Sequence, residues 1–431
     1  MVKYNDYKDS GIAWLGDIPA HWEVKRLKDL AKKIGSGATP LTSNAENYDK
    51  PEVFWVNTGD LNDGYVNNSK RKISKKALVN YPNLKSFPVG TLIMAMYGAT
   101  IGKLGILNII ATTNQACCCI NLYEQYPVKY LFYWLLSDRK NIISLSVGGT
   151  QPNISQSIIN KLDVFLPPLE EQTQIANYLD AKTTLIDKKI KLLKQKIKHY
   201  KAYRKSLINK TVTKGLNDDI SGWVKFRLKD LGFLYSGLSG KSGDDFNQDD
   251  NPNNKGFIPF TNIANNTYLD KKQLGTVVIE DNEKQNQVKR NDIFFLMSSE
   301  GYEDIGKSAV LIEDLKETYL NSFCKGFRLT NKNCDASFIN YLLLSDTYRQ
   351  QMLVEGKGFT RINLKMEKVN NFSILIPPTK KEQQQIATYL DAKTSTIDDI
   401  VNNIASQIKT LKELRKTLIN EVVTGKVKVT L

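Results

Sequence analysis

The feature that most constrains this chain is that it contains the same segment twice. Residues 171–185 have the sequence EQTQIANYLDAKTTL, and residues 382–396 have the sequence EQQQIATYLDAKTST. The correspondence extends backwards to Trp22 and Trp223. A period of about 200 residues is far longer than the 20–50 residues of a solenoid repeat. The pattern therefore predicts a tandem duplication of a whole domain together with a linking element.

Two proline pairs divide the chain. Pro167-Pro168 and Pro377-Pro378 each precede a segment without proline or glycine, which continues to Gly215 and Gly425. Proline disfavours helix at the residue before it but fits the first turn of a helix, so each pair predicts a strand end followed by a helix start. The predicted division is a lead-in at 1–21, a domain at 22–166, a helix at 167–216, a second domain at 217–376 and a second helix at 377–431.

Each domain mixes short apolar runs with glycine- and asparagine-rich turns. The runs at 53–56, 91–96 and 117–122 predict strands, and Pro127 predicts the start of a helix over 128–136. In the second copy we expect a corresponding helix around 338–353. The predicted fold class is α+β, with two mixed α/β domains in tandem.

The long segments carry apolar residues at alternating steps of four and three, which is the spacing of a coiled-coil seam. The seam positions are Ile186, Ile190, Leu193, Ile197, Tyr200, Arg204 and Leu207, and then Ile397, Val401, Ile404, Ile408, Leu411, Arg415 and Leu418. At about 43 residues each helix would be about 64 Å long. We expect the two helices to pair antiparallel, with the arginines fixing the register. The alternative is that each helix packs on its own domain.

The charge balance favours a polyanionic partner. The formal net charge is +15 at pH 7, and nucleic acid is a more plausible partner than an anionic membrane surface. A basic surface without function is the alternative. The first residues lack an apolar leader, and the uncharged stretches carry too many polar and turn residues for a membrane span. We therefore expect a cytoplasmic protein with no membrane partner.

The sequence offers no catalytic or metal-binding constellation. Gly240-Lys241-Ser242 lacks the earlier glycine of a phosphate-binding loop, and the only two histidines are His21 and His199. The five cysteines have no paired spacing, and adjacent side chains of the consecutive cysteines 117–119 would face opposite sides of a strand. We expect free thiols, no metal site and no cofactor of the chain's own.

The repeated segments resemble those of the specificity subunits of type I restriction–modification systems. The resemblance lies in Leu-Pro-Pro-x-x-Glu-Gln-x-x-Ile-Ala-x-Tyr-Leu-Asp at 166–180 and its second copy at 376–391, which has one extra residue before Glu382. The starts of the two domains and the Thr-x-x-Asn loops at 150–153 and 360–363 support it. The resemblance covers essentially the whole chain.

The resemblance implies two target-recognition domains that each bind one half of a split sequence in double-stranded DNA. It also implies a scaffold for two methyltransferase subunits and, through the complex, for restriction/translocase subunits. S-adenosylmethionine, ATP and Mg would then belong to those partner subunits. The long helices would hold the two domains one to two helical turns of DNA apart.

Exposed polar and basic residues of the predicted loops are candidates for contact with DNA, because their side chains can bind phosphates or base edges. In the first domain they are Thr39, Ser43, Asn44, Tyr48, Lys70, Arg71, Lys72, Lys75, Lys76, Thr150, Gln151 and Asn153. In the second they are Lys241, Ser242, Asn254, Lys255, Lys289, Arg290, Lys357, Thr360 and Arg361. Ordinary surface polarity is the alternative for any single one.

Two other functions remain open at this point. One is a self-contained DNA-modifying enzyme. The sequence argues against it because neither Pro-Pro pair belongs to the Asn/Asp-Pro-Pro-Tyr motif with which an adenine methyltransferase holds its target base. The other is a coiled-coil adaptor without a DNA role, which leaves the two basic domains unexplained. The dense lysines of the first long segment fit either a solvated face or a face lying over phosphates.

Overall fold

The structure is a computed structural model that describes residues 2–12, 15–148, 152–248, 250–358 and 360–429. Its residues form two compact units. The first unit consists of Met1–Leu193 and Ser406–Leu431, and the second consists of Lys194–Ala405. Each unit therefore contains one copy of the repeated domain and a part of both long helices.

The two long helices are Leu169–Lys214 and Lys380–Val423. They begin one and two residues after a proline pair, and each follows a strand, Asp163–Leu166 or Ser373–Ile376. Gly215 directly follows the first helix and Gly425 follows the second after Thr424, at φ of 72° and 74°. Because a residue without a Cβ adopts this left-handed conformation without strain, glycine ends the helices here. The helices predicted from the proline- and glycine-free segments are confirmed.

The first unit is built on a five-stranded sheet. Its strand order is Ala31–Gly35, Cys117–Leu122, Leu92–Ala95, Leu104–Leu107 and Gly64–Val66, with only the last pair parallel. A separate three-stranded sheet has the order Thr112–Thr113, Val53–Val56 and Arg71–Ile73. Glu23–Arg26 pairs with Asp163–Leu166 in a two-stranded sheet. The lead-in forms a hairpin of Tyr7–Asp9 and Asp17–Pro19. The shorter helices are Leu27–Leu30, Lys75–Asn80, Val128–Ser144 and Gln156–Asn160, with 3-10 turns at Ala45–Asn47, Thr58–Asp60 and Gly98–Thr100.

The second unit repeats this plan. A four-stranded sheet has the order Gly232–Ser236, Cys324–Leu329, Ile293–Leu296 and Ser308–Val310, and a three-stranded sheet has the order Gly275–Val278, Asn254–Ile258 and Thr318–Leu320. Val224–Arg227 pairs with Ser373–Ile376, and Ser298–Ser299 pairs with Ile362–Asn363. The shorter helices are Leu228–Leu231, Phe260–Asn265, Ala336–Leu344, Asp346–Glu355 and Met366–Asn370, with 3-10 turns at Gly243–Asp245 and Lys271–Gln273.

The core of the first unit lies between the five-stranded sheet and helix Val128–Ser144. Consecutive residues of strand Cys117–Leu122 alternate between two apolar clusters: Cys118 packs with the helix, whereas Cys117 and Cys119 pack on the opposite face. This alternation is the period of two expected of a strand. It confirms that the three consecutive cysteines do not share one face.

Residues of both long helices pack in the core of each unit. In the first unit, Ile175 and Leu179 of the first helix pack in the same core as Ile419 and Val422 of the second. In the second unit, Ile208 and Val212 pack in the same core as Ile386 and Leu390. The start of one helix therefore lies beside the end of the other, which makes the pairing antiparallel as predicted. The first turns of each long helix also pack on the domain that precedes it. The alternative interpretation, in which each helix packs on its own domain, therefore holds for that part of each helix.

Two helix predictions need correction. The helix predicted at 128–136 extends to Ser144, because the apolar pattern continues through Ile142. The single helix expected around 338–353 is wrong, since the chain forms Ala336–Leu344 and Asp346–Glu355 with Ser345 between them at a ψ of 152°. The Ser345 hydroxyl donates a hydrogen bond of 2.6 Å to the carbonyl of Leu342, which closes the first of these helices.

Candidate nucleic-acid interface

In the first unit, most candidate residues gather on one small subdomain. Its apolar centre consists of Trp55, Ile73, Ala77 and Leu84, which are buried together. The loop before this centre is fixed to it by hydrogen bonds: Tyr48 donates to the Pro40 carbonyl at 2.7 Å. The structure thus brings together the exposed candidates of two separate sequence stretches, namely Thr39, Ser43, Asn44, Lys70, Arg71, Lys72, Lys75 and Lys76, with the half-buried Tyr48.

A close backbone approach positions this loop. A Cβ atom added at Gly37 would lie 1.7 Å from the backbone oxygen of Thr113, so no other residue fits without displacement of the chain. The second unit has the same arrangement, where a Cβ at Gly237 would lie 2.1 Å from the backbone oxygen of Asn321. In each unit, the glycine therefore holds the loop against the segment just before the strand that begins with a buried cysteine, Cys117–Leu122 or Cys324–Leu329.

Several of the basic candidates already have partners. Lys75 pairs with Glu52 at 2.6 Å and Lys76 with Glu46 at 3.1 Å, and Lys72 lies 4.3 Å from the centroid of the Phe54 ring. These lysine side chains remain largely exposed, and exposed ion pairs contribute little to stability. Exchange of such a carboxylate for a phosphate is consistent with a DNA contact.

The Thr-x-x-Asn loop of the first unit is closed by a pair of backbone hydrogen bonds between Val147 and Asn153, both of 2.9 Å. Asn153 is exposed at the end of the loop. Thr150 and Gln151, two of the candidates, lie outside the described residues. The corresponding loop of the second unit is closed in the same way between Lys357 and Asn363, at 3.0 and 2.9 Å.

The candidates of the second unit are more dispersed. Lys241 has a side chain only 7% exposed and forms an ion pair with Glu283, so its charge is neutralised inside the protein. Ser242 has its backbone N–H bonded to Asp245 at 2.7 Å. Lys255 pairs with Glu317 at 2.7 Å and Arg290 with Asp314 at 3.7 Å. Asn254 begins the strand Asn254–Ile258, and Lys289 lies in the loop before the strand Ile293–Leu296. Lys357, Thr360 and Arg361 share the loop that is closed between Lys357 and Asn363.

Some residues at these surfaces have no clear signal in the sequence. An open cleft of about 600 Å³ in the first unit is lined by Lys33, Lys85, Gln115 and Gln156 together with the candidate Thr39. Thr39 donates a hydrogen bond of 2.5 Å to the amide oxygen of Gln115. In the second unit, Phe323 is 47% exposed and supports the guanidinium group of Arg361. Asn114 and Asn321 occupy equivalent places in the two copies; Gln115 is the first residue after Asn114, and Phe323 is the second after Asn321. This proximity to a repeated asparagine is the signal that could have identified them.

The repeated Glu-Gln motif has a structural role. The indole N–H of Trp22 donates to Glu171 at 3.3 Å, and that of Trp223 donates to Glu382 at the same distance. The next residue in each copy, a glutamine, donates its side-chain amide to the carbonyl of the first proline of the pair, at 2.8 and 3.0 Å. The motif therefore fastens the first turn of each long helix to the start of its own domain.

A half-buried carboxylate completes this attachment about two turns further along each helix. Asp391 accepts hydrogen bonds of 2.7 Å from the hydroxyls of Tyr268 and Tyr341. In the first unit Asp180 accepts one of 2.7 Å from Tyr133 and pairs with Lys129. Each domain is thus held on its helix by one aspartate and two donors.

The predicted seam positions face inwards. Ile190, Ile397, Ile404 and Ile408 are buried, and the other seam residues are half-buried, while their helix neighbours are mostly exposed. Each seam arginine pairs with an aspartate of the opposite helix within its own unit. Arg415 lies 3.0 Å from Asp187 in the first unit, and Arg204 lies 3.1 Å from Asp398 in the second.

The titratable groups give little support for nucleophilic chemistry. All five cysteines are buried and free, and burial raises the pKa of every thiol, to about 12 for Cys119 and about 11 for Cys334. These thiols remain protonated at neutral pH, whereas the thiolate is the nucleophile. Burial also raises the pKa of Asp138, on helix Val128–Ser144, to about 6.

Within the described part of the chain, no group of three or more histidine, cysteine, aspartate or glutamate side chains is placed to hold a metal ion. None of the described helices combines the length and apolar character that a membrane span requires.

The fold defines a class of protein in which a loop-bearing domain is duplicated and each copy packs on a pair of antiparallel helices. The family model described as the type I restriction modification DNA specificity domain matches the chain twice, over residues 19–199 and 220–410. Because these matches cover most of the sequence, the chain belongs to this family, and the resemblance found in its motifs is confirmed.

Relatives and solved structures agree with this membership. The chain is 27% identical to the type I restriction enzyme MjaIX specificity subunit of Methanocaldococcus jannaschii, over all of this chain and 99% of the relative. It is 24% identical to the StySPI specificity subunit of Salmonella potsdam, over 68% of this chain and 63% of that protein. Its fold is similar to the HsdS subunit of Thermoanaerobacter tengcongensis, with a TM-score of 0.57 and 16% identity over 95% of this chain and 98% of that one. A structure from work on the assembly and conformational transition of the type I R-M system gives a TM-score of 0.75 at 16% identity, over 95% and 99% of the two chains.

Proposed function

We propose that this chain determines the DNA sequence specificity of a type I restriction–modification complex, and that each of its two domains binds one half of a bipartite target. The observation that carries the proposal is the duplication itself. Both copies match a DNA specificity domain, and both present a glycine-anchored loop and a closed Thr-x-x-Asn loop. Two similar binding domains fit two separated half-sites.

The division of labour follows from the chemistry of the residues. The net charge of +15 supplies affinity for the phosphate backbone regardless of sequence, and the loops supply contacts to base edges. The chain itself is a non-catalytic subunit with no catalytic cofactor of its own. Methylation and cleavage would be carried out by two methyltransferase subunits and by restriction/translocase subunits, which would bind S-adenosylmethionine, ATP and Mg. Such a complex would act on genomic DNA, so we expect the chain to work in the cytoplasm.

A domain exchange tests the proposal. Residues 223–376 are replaced by the equivalent domain of a relative with a different target, and the methylated sequence is mapped by single-molecule sequencing. One half of the target should change while the other half stays the same. Exchange of residues 22–166 is the matched control, which should change the opposite half. A change of both halves in either exchange would contradict the assignment of one domain to one half-site.

Two measurements separate this function from its alternatives. The purified single chain should not bind labelled S-adenosylmethionine or turn over DNA, because the methyltransferase motif that holds the target base is missing from its sequence. Its complex should bind duplex DNA with an affinity that falls steeply as salt rises. Cofactor binding would favour a self-contained enzyme, and the absence of salt-dependent DNA binding would favour an adaptor.

A further inference from the structure

We propose that Arg361 recognises a guanine base in the half-site bound by the second unit, with Phe323 as the platform that orients its guanidinium group. The inference rests on the proposed function and deepens it by naming a residue and the base it contacts.

The backbone of Arg361 is held on both sides. Its loop is closed by the hydrogen bonds between Lys357 and Asn363, and Ile362–Asn363 pairs with the strand Ser298–Ser299. Gly358 has a φ of +152°, and a Cβ added there would lie 1.9 Å from the carbonyl oxygen of Arg361. The Asn363 side chain donates a hydrogen bond of 3.2 Å to the same oxygen. The position from which the side chain projects is therefore defined by the fold.

The side chain is oriented but still accessible. The Arg361 guanidinium carbon lies 4.5 Å from the centroid of the Phe323 ring, and the side chain remains 45% exposed. A guanidinium plane on an aromatic face is a favourable contact, and it limits the conformations that would otherwise be lost on binding. The Glu300 carboxylate lies 4.0 Å from the Arg361 guanidinium group and is 86% exposed.

This arrangement suits a base edge better than a phosphate. Arginine donating two hydrogen bonds to O6 and N7 of guanine is the commonest specific contact in the major groove. Glu300 would repel a phosphate next to Arg361, whereas a carboxylate can accept a hydrogen bond from N4 of the cytosine paired with that guanine. Lys357, exposed on the same loop, is the type of residue that contacts the backbone. A G·C base pair is therefore complementary to Arg361 and Glu300 together.

The test uses the complex purified through a tag on the full-length chain. Wild type and variants are selected against a randomised library of duplex DNA, and the bound sequences are determined. Arg361→Gln removes the guanidinium donors, and glutamine pairs with adenine rather than guanine, so this variant should lose preference for guanine at one position of one half-site by about 5- to 150-fold. Phe323→Ala should weaken the preference at the same position, and the other half-site and the gap should be unchanged.

Arg227→Gln is the matched control, because Arg227 is another exposed arginine of the second unit, is paired with Asp230 and is not among the candidates for contact with DNA. It should leave the selected sequence unchanged, and melting temperatures verify that each variant is folded. The inference is overturned if Arg361→Gln retains the full preference for guanine, or if it weakens binding to all sequences equally, as loss of a phosphate contact would. A wild-type complex that selects no bipartite sequence would instead contradict the proposed function itself.

Discussion

Removal of the Asp391 carboxylate should loosen the second domain from its long helix. In Asp391→Ala, the hydroxyls of Tyr268 and Tyr341 both lose their acceptor, and Tyr341 is only 1% exposed. A buried donor left without a partner costs about 1–3 kcal/mol. Tyr341 keeps a second contact to Thr394 at 3.3 Å and Tyr268 is only half-buried, so we expect the lower part of that range for each. The total is about 2–4 kcal/mol.

The first unit supplies a matched control with a smaller expected effect. In Asp180→Ala, Tyr133 keeps a contact to Thr183 at 3.0 Å, and Lys129, which is 33% exposed, can be hydrated again. We therefore expect a loss of only about 1–2 kcal/mol. The difference between the two variants follows from the replacement of the half-buried tyrosine donor Tyr268 by the partly exposed Lys129.

Hydrogen–deuterium exchange measures both effects locally, because the repeated sequence gives matched peptides at 382–396 and 171–185. Opening of a helix start by these energies accelerates exchange by about 30- to 900-fold for Asp391→Ala and about 5- to 30-fold for Asp180→Ala. Tyr341→Phe in the Asp391→Ala background should restore part of the lost protection, since it removes the unpaired hydroxyl. Equal acceleration in the two variants, or none in either, would refute the hydrogen-bond account of this attachment.

Three further predictions concern stability. Asp138→Asn should stabilise the first unit by up to about 3 kcal/mol at pH 7, because the raised pKa of Asp138, about 6 against an ordinary 3.8, disfavours the folded state as pH rises through this window. The difference between variant and wild type should vanish below pH 3.8, where both states bind the proton, and a difference in denaturant unfolding that persists in acid would contradict this account. Gly37→Ala should cost about 2–3 kcal/mol because its Cβ would overlap a backbone carbonyl, whereas Gly35→Ala, with open space around the added atom, should cost under about 1 kcal/mol; similar melting temperatures for the two would contradict the close approach. Asp187→Arg and Arg415→Asp should each destabilise the helix pair by about 1 kcal/mol and together restore it, and a double variant as unstable as the sum of the two would argue against the antiparallel contact.

The sequence predicts the long helices well because their determinants are local. Proline pairs mark the starts, glycines mark the ends, and the seam spacing alone identifies the inward positions that the structure buries. Strands Val53–Val56 and Cys117–Leu122 have the predicted bounds, since short apolar runs between turns leave little choice. The break at Ser345 was not predictable from apolar periodicity, because a serine hydroxyl closing a turn leaves that periodicity intact.

For the candidate interface, the sequence predicts which types of residue the loops contain but not which of them are free to contact DNA. The basic residues of the loops could be identified, but Glu283, which neutralises Lys241, is 42 positions away in the chain, and it is the fold that leaves the Lys241 side chain only 7% exposed. The contact between Arg361 and Phe323 likewise joins two distant segments. Which of several lysines and arginines is free to contact DNA depends on such long-range neighbours, and these are set by the tertiary fold. The individual contacts to DNA remain predictions.

Each unit contains the start of one long helix and the end of the other, and this has a consequence for biosynthesis. The core of the first unit includes Ile419, Val422 and Val423, and the lead-in is tied to the far end of the chain, where the Lys428 N–H donates to the carbonyl of Val2 at 2.9 Å. A ribosome that has completed the first domain has therefore not yet made the residues that close its core. The first half of the chain to be translated should be the last to reach its final stability, and a product truncated before residue 406 would expose apolar surface to chaperones and proteases.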